Sequence, residues 1–122
     1  MKKILIFLTF LFFNNISNAN KLTIYTYDSF VSEWGPGPII EKKFEEIHNI
    51  NLELIPVDSA ATLLNKIILE GSSTTADIVL GLDMNLFDEA TNSNLFISHD
   101  IKNINQKITL PIDWESNFFI PY

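Results

Sequence analysis

The architecture follows from residues 22–30, which read Leu22-Thr23-Ile24-Tyr25-Thr26-Tyr27-Asp28-Ser29-Phe30. β-Branched and aromatic residues dominate the first five positions of this stretch, and such residues favour a β-strand. Polar residues then end the strand, and Gly35-Pro36-Gly37-Pro38 excludes regular structure until about Ile39. A strand followed by an irregular loop and a helical pattern is typical of a β-α unit.

Residues 39–57 continue this alternation of helical and extended patterns. A helix over residues 39–48 has its apolar positions on one face, at Ile39, Ile40, Phe44 and Ile47. Pro38 suits the first turn of that helix, because its missing N–H needs no partner there. Residues 50–57 alternate apolar and polar side chains, which predicts a second strand.

A second helix and a third strand are predicted next. Ser59 is a suitable N-cap, because its hydroxyl accepts a hydrogen bond from a free amide of the first turn. The helix after it ends at Gly71 and is expected to bury Leu63, Leu64, Ile67 and Ile68. Residues 76–80 end in an apolar run, as in a strand covered on both faces. A short helix is predicted from Asn85 to about Thr91.

The order of these elements predicts an α/β protein. Strands that alternate with helices favour a mostly parallel sheet with helices on both faces and right-handed crossovers. Beyond Phe96 the pattern weakens, and one further strand is predicted at residues 118–120. The chain stops at Tyr122, directly after this apolar run, which indicates a truncated domain because terminal residues are usually solvated.

Residues 1–19 have the pattern of a secretory signal peptide. Two lysines precede an apolar run over residues 4–13, and Ser17 and Ala19 form a small-x-small cleavage site. This run of ten residues is shorter than the roughly 20 that cross a bilayer as a helix. We therefore expect cleavage after Ala19 and localisation in the periplasm, with residues 20–122 as the mature part.

The composition excludes several function classes. The 122-residue chain is 47% apolar, has a net charge of −7 and contains no Cys. Disulfides, thiolate zinc sites, iron–sulfur clusters, cysteine nucleophiles and a lipid-modified N-terminal cysteine are therefore excluded. All eight basic residues are Lys, and an acidic chain without Arg is poorly suited to nucleic acid, whose phosphates need clustered basic residues.

Parallel sheets bind ligands at the carboxyl ends of their strands, where loops and helix N-termini meet. This rule selects the loops that follow the three predicted strands. Those loops carry Tyr27, Asp28, Ser29, Phe30 and Trp34 after the first strand, Asp58, Ser59 and Ala60 after the second, and Gly81, Asp83 and Asn85 after the third. Aromatic faces beside carboxylates suit a flat organic cation. Amides at the helix starts near Ser59 and Ile39 suit an anionic tail such as a phosphate instead.

Several of these residues also have a purely structural interpretation. Tyr25 is expected in the core, Trp34 can pack on the Gly-Pro turn, and Asp83 can serve only as a helix cap. His48 and His99 have no carboxylate or metal-ligand spacing around them, so we expect both at the surface. No nucleophile–base set, metal motif or glycine-rich phosphate loop is present, so no enzyme activity, cofactor or metal is predicted.

Four blocks of the sequence resemble the periplasmic thiamine-binding proteins of ABC importers. The more specific block is Tyr25-Thr26-Tyr27-Asp28-Ser29-Phe30 followed by Trp34-Gly35-Pro36-Gly37-Pro38. Gly81-Leu82-Asp83-Met84-Asn85 supports it, with Leu63-Leu64-Asn65 and residues 118–122 at matching spacing. The resemblance extends from Lys21 to the last residue. It implies the N-terminal lobe of a type II periplasmic binding fold, here incomplete.

The resemblance also implies a ligand and a set of contacts. Thiamine, a thiazolium cation joined to an aminopyrimidine, would contact the rings of Tyr27 and Trp34, while Asp28 and Asp83 would shape the site. In this family the turn after the second strand is expected to contact the ligand with an acidic residue followed by Gly. This chain has Ser59 and Ala60 there, so its backbone would approach the ligand less closely.

The expected partners are thiamine or its phosphates and an ABC permease of the inner membrane, with the chain acting as a monomer and not binding nucleic acid. Because the second lobe of the family is missing from these residues, we expect weak or no thiamine binding and exposed apolar faces that favour aggregation. The alternatives are an inert exported remnant, or a binding protein for ferric iron or a polyamine. A small hydrolase is the class least favoured by the sequence.

Overall fold

The structure is a computed structural model that describes residues 20–101, 109, 114 and 116–122. The predicted signal peptide, residues 1–19, lies outside the described residues. Within them the elements are β1 (Lys21–Tyr27), α1 (Asp28–Val31), α2 (Gly37–His48), β2 (Asn51–Val57), α3 (Ala60–Glu70), β3 (Ile78–Val79) and α4 (Phe87–Asn92). None of the helices in this part of the chain combines the length and apolarity that crossing a bilayer requires.

The described strands form one parallel sheet in the order β2-β1-β3. β1 pairs with β2 from Lys21 opposite Asn51 to Tyr27 opposite Val57. On its other side Tyr25 lies opposite Val79. The predicted parallel α/β sheet is confirmed, because each strand returns to the same edge after a helical connection.

One face of the sheet forms the main core against α3. Tyr25, Leu63 and Ile67 are buried together there, with partly buried apolar side chains of β2 and β3 around them. Tyr25 is therefore a core residue, as predicted. The prediction that Ile68 is buried is wrong, because it lies on the flank of α3 and its residue surface is 39% exposed.

The opposite face of the sheet carries α1 and α2, so helices cover both faces as predicted. α2 is oriented differently from the prediction. Ile47 is 73% exposed and Ile39 is also exposed, whereas Gly37 is the buried residue of the helix. Glu45 instead reaches β2, where its Oε1 accepts a hydrogen bond of 2.9 Å from the Leu52 N–H. Ile39 and Ile47 thus face outward, whereas Phe44 of the same stripe is half-buried.

β3 is shorter than predicted. The strand comprises Ile78 and Val79 rather than residues 76–80, and Ile78 is 44% exposed instead of covered on both faces. Just before β3, Asp77 pairs with Thr23 of β1 partly through its side chain. Its Oδ2 accepts a hydrogen bond from the Thr23 N–H at 2.8 Å, while its own N–H donates to the Thr23 carbonyl. A carboxylate therefore takes the place of a ladder carbonyl beside Thr23.

Two of the three outward N–H positions at the edge of β2 are unavailable for pairing. The N–H of Asn51 donates to Asn20 on the β1 side, so the N–H of Leu52 points outward, where Glu45 accepts it. Pro56 occupies the same outward-facing set of positions and has no N–H to donate. These two features disfavour edge-to-edge association at β2.

Candidate ligand site at the carboxyl edge of the sheet

The loops predicted to carry the site lie at one edge of the sheet. Tyr27 ends β1 directly opposite Val57, the last residue of β2, and Val79 ends β3 beside Tyr25. Parallel pairing therefore brings the three following loops to the same edge. The sequence prediction that these loops lie at one edge is therefore confirmed.

Tyr27 lies at the centre of this edge. Its ring is half-buried and meets Phe30 edge to face, with ring centroids 5.8 Å apart. Gly81 contacts the other part of the ring, and a Cβ on Gly81 would stand 2.3 Å from Tyr27 Cδ1. Gly81 also has a φ of +109°, which side-chain-bearing residues rarely adopt. Glycine at position 81 is thus what allows the Tyr27 ring to occupy this place.

Trp34 is displayed from a tightly built turn. A Cβ on Gly35 would lie 2.3 Å from the Ser29 carbonyl oxygen, and one on Gly37 would lie 2.6 Å from that of Phe30. These glycines let the turn pass directly over α1. Trp34 itself is 81% exposed, so the interpretation that it packs on the turn is wrong. Its ring faces solvent beside the edge.

The Gly-Pro turn also starts α2 earlier than predicted. The helix begins at Gly37 rather than at about Ile39, with Pro36 at the N-cap and Pro38 in the first turn. Pro38 therefore has the position predicted for it. Residues 28–31, predicted as loop, form the single helical turn α1, and this turn provides the carbonyls over which Gly35 passes.

The three acidic residues predicted at the edge, Asp28, Asp58 and Asp83, are all exposed. Asp28 stands in the first turn of α1, and Asp58 precedes α3. Asp83 caps a short 3-10 turn over residues 84–86, where its Oδ1 accepts from the Asn85 N–H at 2.8 Å. The prediction that Asp83 caps a helix is therefore confirmed. Its other carboxylate oxygen, Oδ2, can still accept a hydrogen bond from a ligand.

Ser59 and Ala60 form the start of α3. The Ser59 hydroxyl accepts a hydrogen bond from the Thr62 N–H at 3.2 Å, which confirms the predicted N-cap. Ala60 is the first helical residue and is half-buried. A side chain at position 60 thus stands where the resemblance implies Gly, next to the carboxyl end of β2.

Tyr122 also reaches this edge, which the sequence patterns did not predict. Its hydroxyl donates to the Tyr27 hydroxyl at 3.4 Å, across 95 positions of the chain. Partial burial of its hydroxyl, and then the bond to Tyr27, raise the pKa of Tyr122 to about 12. The predicted strand at residues 118–120 is absent from the structure there, which instead has an irregular segment over residues 116–122.

The electrostatics of the edge favour a cation. Among the described lysines, Lys21 pairs with Glu53, Lys42 with Glu46, and Lys66 with Glu70, all outside the three loops. The described loop residues thus combine aromatic rings with exposed carboxylates and include no lysine. Such a surface attracts and stacks a flat organic cation. No group of three or more metal-binding side chains is found among the described residues.

The fold and this edge are similar to part of a solved periplasmic binding protein. It superimposes on a solved structure described as a periplasmic thiamin binding protein with a TM-score of 0.75 and 40% identity, over 83% of this chain. More particularly, the sequence is similar to proteins named thiamine-binding periplasmic protein. It is 42% identical to that of Salmonella typhimurium over 101 residues and 48% identical to that of Brucella abortus over 103 residues. No protein-family model matches it.

The homology extends over most of this chain and a minor part of the relatives. The matched residues are 83% of this chain for the Salmonella typhimurium protein and 84% for the Brucella abortus protein. In both relatives they span only 30% of the length, and in the solved structure 31%. The resemblance seen in the sequence is confirmed as an incomplete lobe of that fold.

Proposed function

We propose that this chain acts as the solute-binding component of a thiamine importer, receiving thiamine in the periplasm. The observation that carries the proposal is the edge itself: Tyr27, exposed Trp34 and three carboxylates stand together on a fold shared with a periplasmic thiamin binding protein. A cationic thiazolium gains from the aromatic faces and from the acidic surroundings, because the two attractions add at close range.

Each predicted site residue has a role in this proposal. Tyr27 and Trp34 offer ring faces to the thiazolium and aminopyrimidine, and Asp28 and Asp83 hold the loops and attract the cation. Ser59 and Ala60 border the ligand through the start of α3. The absence of a lysine from the described loops favours thiamine over its phosphates, whose negative charge would meet three carboxylates.

The remaining parts of the proposal concern export and delivery. Residues 1–19 direct secretion, and residues 20–122 form the first part of the N-terminal lobe. The chain acts as a monomer, presents thiamine to an ABC permease of the inner membrane and catalyses no reaction. The relatives are named as periplasmic binding proteins, which supports these assignments.

Isothermal titration of the purified chain with thiamine tests the proposal, after circular dichroism has established a cooperative fold. We expect saturable binding that is weak, with a Kd on the order of 0.1 to 1 mM, because a single lobe contacts one side of the ligand only. Thiamine monophosphate should bind more weakly still. Loss of the signal in Trp34→Ala, which alters no buried contact, would place the ligand at this edge.

Two results would contradict the proposal. A folded chain that shows no heat and no thermal shift with millimolar thiamine would leave the exported remnant as the better account. Binding of ferric citrate or spermidine in preference to thiamine would assign the site to another solute. Spermidine is the sharper competitor, because it is a cation without an aromatic ring and so separates charge from stacking.

A further inference from the structure

Tyr122 stands beside Tyr27 without being needed for the core. Its residue surface is 78% exposed, and its described polar contact is the hydroxyl bond to Tyr27. An exposed aromatic ring contributes little to folding stability, because its surface stays in water. The position of Tyr122 at the ligand edge therefore has no structural explanation in the main core.

The segment that ends at Tyr122 is firmly attached before it reaches the edge. The ring of Phe119 lies 5.1 Å from those of Phe87 and Phe96, and the Trp114 indole donates to the Phe119 carbonyl at 3.2 Å. The His99 N–H donates to the Asn117 carbonyl at 2.9 Å. These contacts hold residues 116–122 against α4 and direct Tyr122 toward Tyr27.

We propose that Tyr122 is a further ligand-contacting residue of this site, presenting its exposed ring to the same flat cation that Tyr27 contacts. The two phenol hydroxyls are 3.4 Å apart, so both side chains lie within reach of one ligand at the edge. A neutral phenol ring offers a face of negative potential to a thiazolium and a hydroxyl to an amino group. This inference rests on the proposed function and adds a contact to it.

The three tyrosines of the chain make a direct experiment possible. The full chain is labelled with 3-fluorotyrosine, its three ¹⁹F resonances are assigned with Tyr25→Phe, Tyr27→Phe and Tyr122→Phe, and thiamine is added. We expect the Tyr27 and Tyr122 resonances to shift with the same half-saturation. Tyr25, which is 4% exposed in the core, is the internal control and should not move.

Affinity measurements complete the test. Tyr122→Ala should weaken thiamine binding about tenfold through loss of the ring contact, whereas Tyr122→Phe should stay within about twofold. Leu69→Ala is the matched control, because Leu69 is an 86% exposed side chain on α3 outside the three loops, and it should not change the affinity.

The possible failures are distinguishable. If Tyr27 shifts with thiamine while Tyr122 does not, or if Tyr122→Ala binds like the parent chain, the inference is overturned and the proposed function stands. If neither resonance moves at millimolar thiamine, the proposed function is overturned, and the inference with it.

Discussion

Gly81 lies against the ring of Tyr27 so closely that a methyl group on its Cα would stand 2.3 Å from Tyr27 Cδ1. Tyr27 is the last residue of β1 and Gly81 lies in the loop after the neighbouring strand β3, and their contact limits where the Tyr27 ring can stand. Every other residue would add a Cβ at position 81, so any substitution there would have to move the ring.

Gly81→Ala is expected to destabilise the chain by about 2 to 3 kcal/mol, because it combines a positive φ with a collision against an aromatic ring. Gly71→Ala is the matched control: Gly71 also has a positive φ, of +53°, but a Cβ there would meet nothing within 4 Å. We expect Gly71→Ala to cost about 1 kcal/mol. Urea denaturation of both variants measures the difference, and equal losses would contradict the role given to the Tyr27 ring.

Trp34→Ala should separate binding from stability. Because Trp34 is 81% exposed, its removal is expected to change the free energy of unfolding by less than about 0.5 kcal/mol. Thiamine affinity should fall about tenfold or more, since an aromatic contact with the cation is lost. Thermal unfolding and calorimetric titration of the same sample check both statements. A large loss of stability would show that Trp34 supports the turn after all.

Thr26→Val is expected to stabilise the chain by about 1 kcal/mol. The Thr26 hydroxyl is fully buried in β1 and has no hydrogen-bond partner among the described residues, so an isosteric methyl group removes an unsatisfied polar atom. Thr23→Val is the comparison, because the equally buried Thr23 hydroxyl donates to Glu53 at 3.4 Å. We expect no gain from Thr23→Val in the same chemical denaturation assay. A loss on Thr26→Val would indicate a water bound to that hydroxyl.

The pH dependence of stability should have an acid limb that depends on Glu70. The hydrogen bond from Lys66, with further bonds from Thr74 and Tyr25, lowers the pKa of Glu70 below its usual 4.5. Folding therefore favours the carboxylate, and this contribution is full above about pH 4.5 and is lost as the pH falls through the lowered pKa. Glu70→Gln should flatten the unfolding free energy between pH 5 and pH 3.

Glu53→Gln serves as the comparison for Glu70→Gln. Lys21 lowers the pKa of Glu53 as well, but the side chains of this pair are 50% and 42% exposed. Solvent and salt screen exposed pairs, so we expect a smaller change that disappears in about 0.5 M salt. Urea titrations at a series of pH values distinguish the two variants. An unchanged acid limb in Glu70→Gln would contradict the assignment.

The periodic parts of the sequence were enough to predict the sheet and the edge at which the loops meet. Strand and helix patterns in the sequence identified β1, β2 and α3. Ser59 was predicted as the N-cap of α3. The orientation of α2 was not predictable, because an apolar stripe marks the face that avoids water in a complete domain. Here Gly37 and Glu45 face the sheet, whereas Ile47 is exposed.

The candidate site shows the same division. The location of Tyr27 and Asp83 at this edge was predicted from their place near the ends of strands, whereas that of Tyr122 was not, since its contact with Tyr27 spans 95 positions and leaves no local pattern. Gly35 and Gly37 were interpreted as turn formers. Their contacts with the Ser29 and Phe30 carbonyls depend on the position of α1, which propensities alone did not indicate.

The outer edge of β2 limits how copies of this sheet can associate. Glu45 occupies the Leu52 N–H and Pro56 offers none, so a strand added along β2 would lack two of its backbone hydrogen bonds. Cross-β stacking, in which every backbone group pairs with the next chain, is therefore disfavoured at this edge of the folded chain.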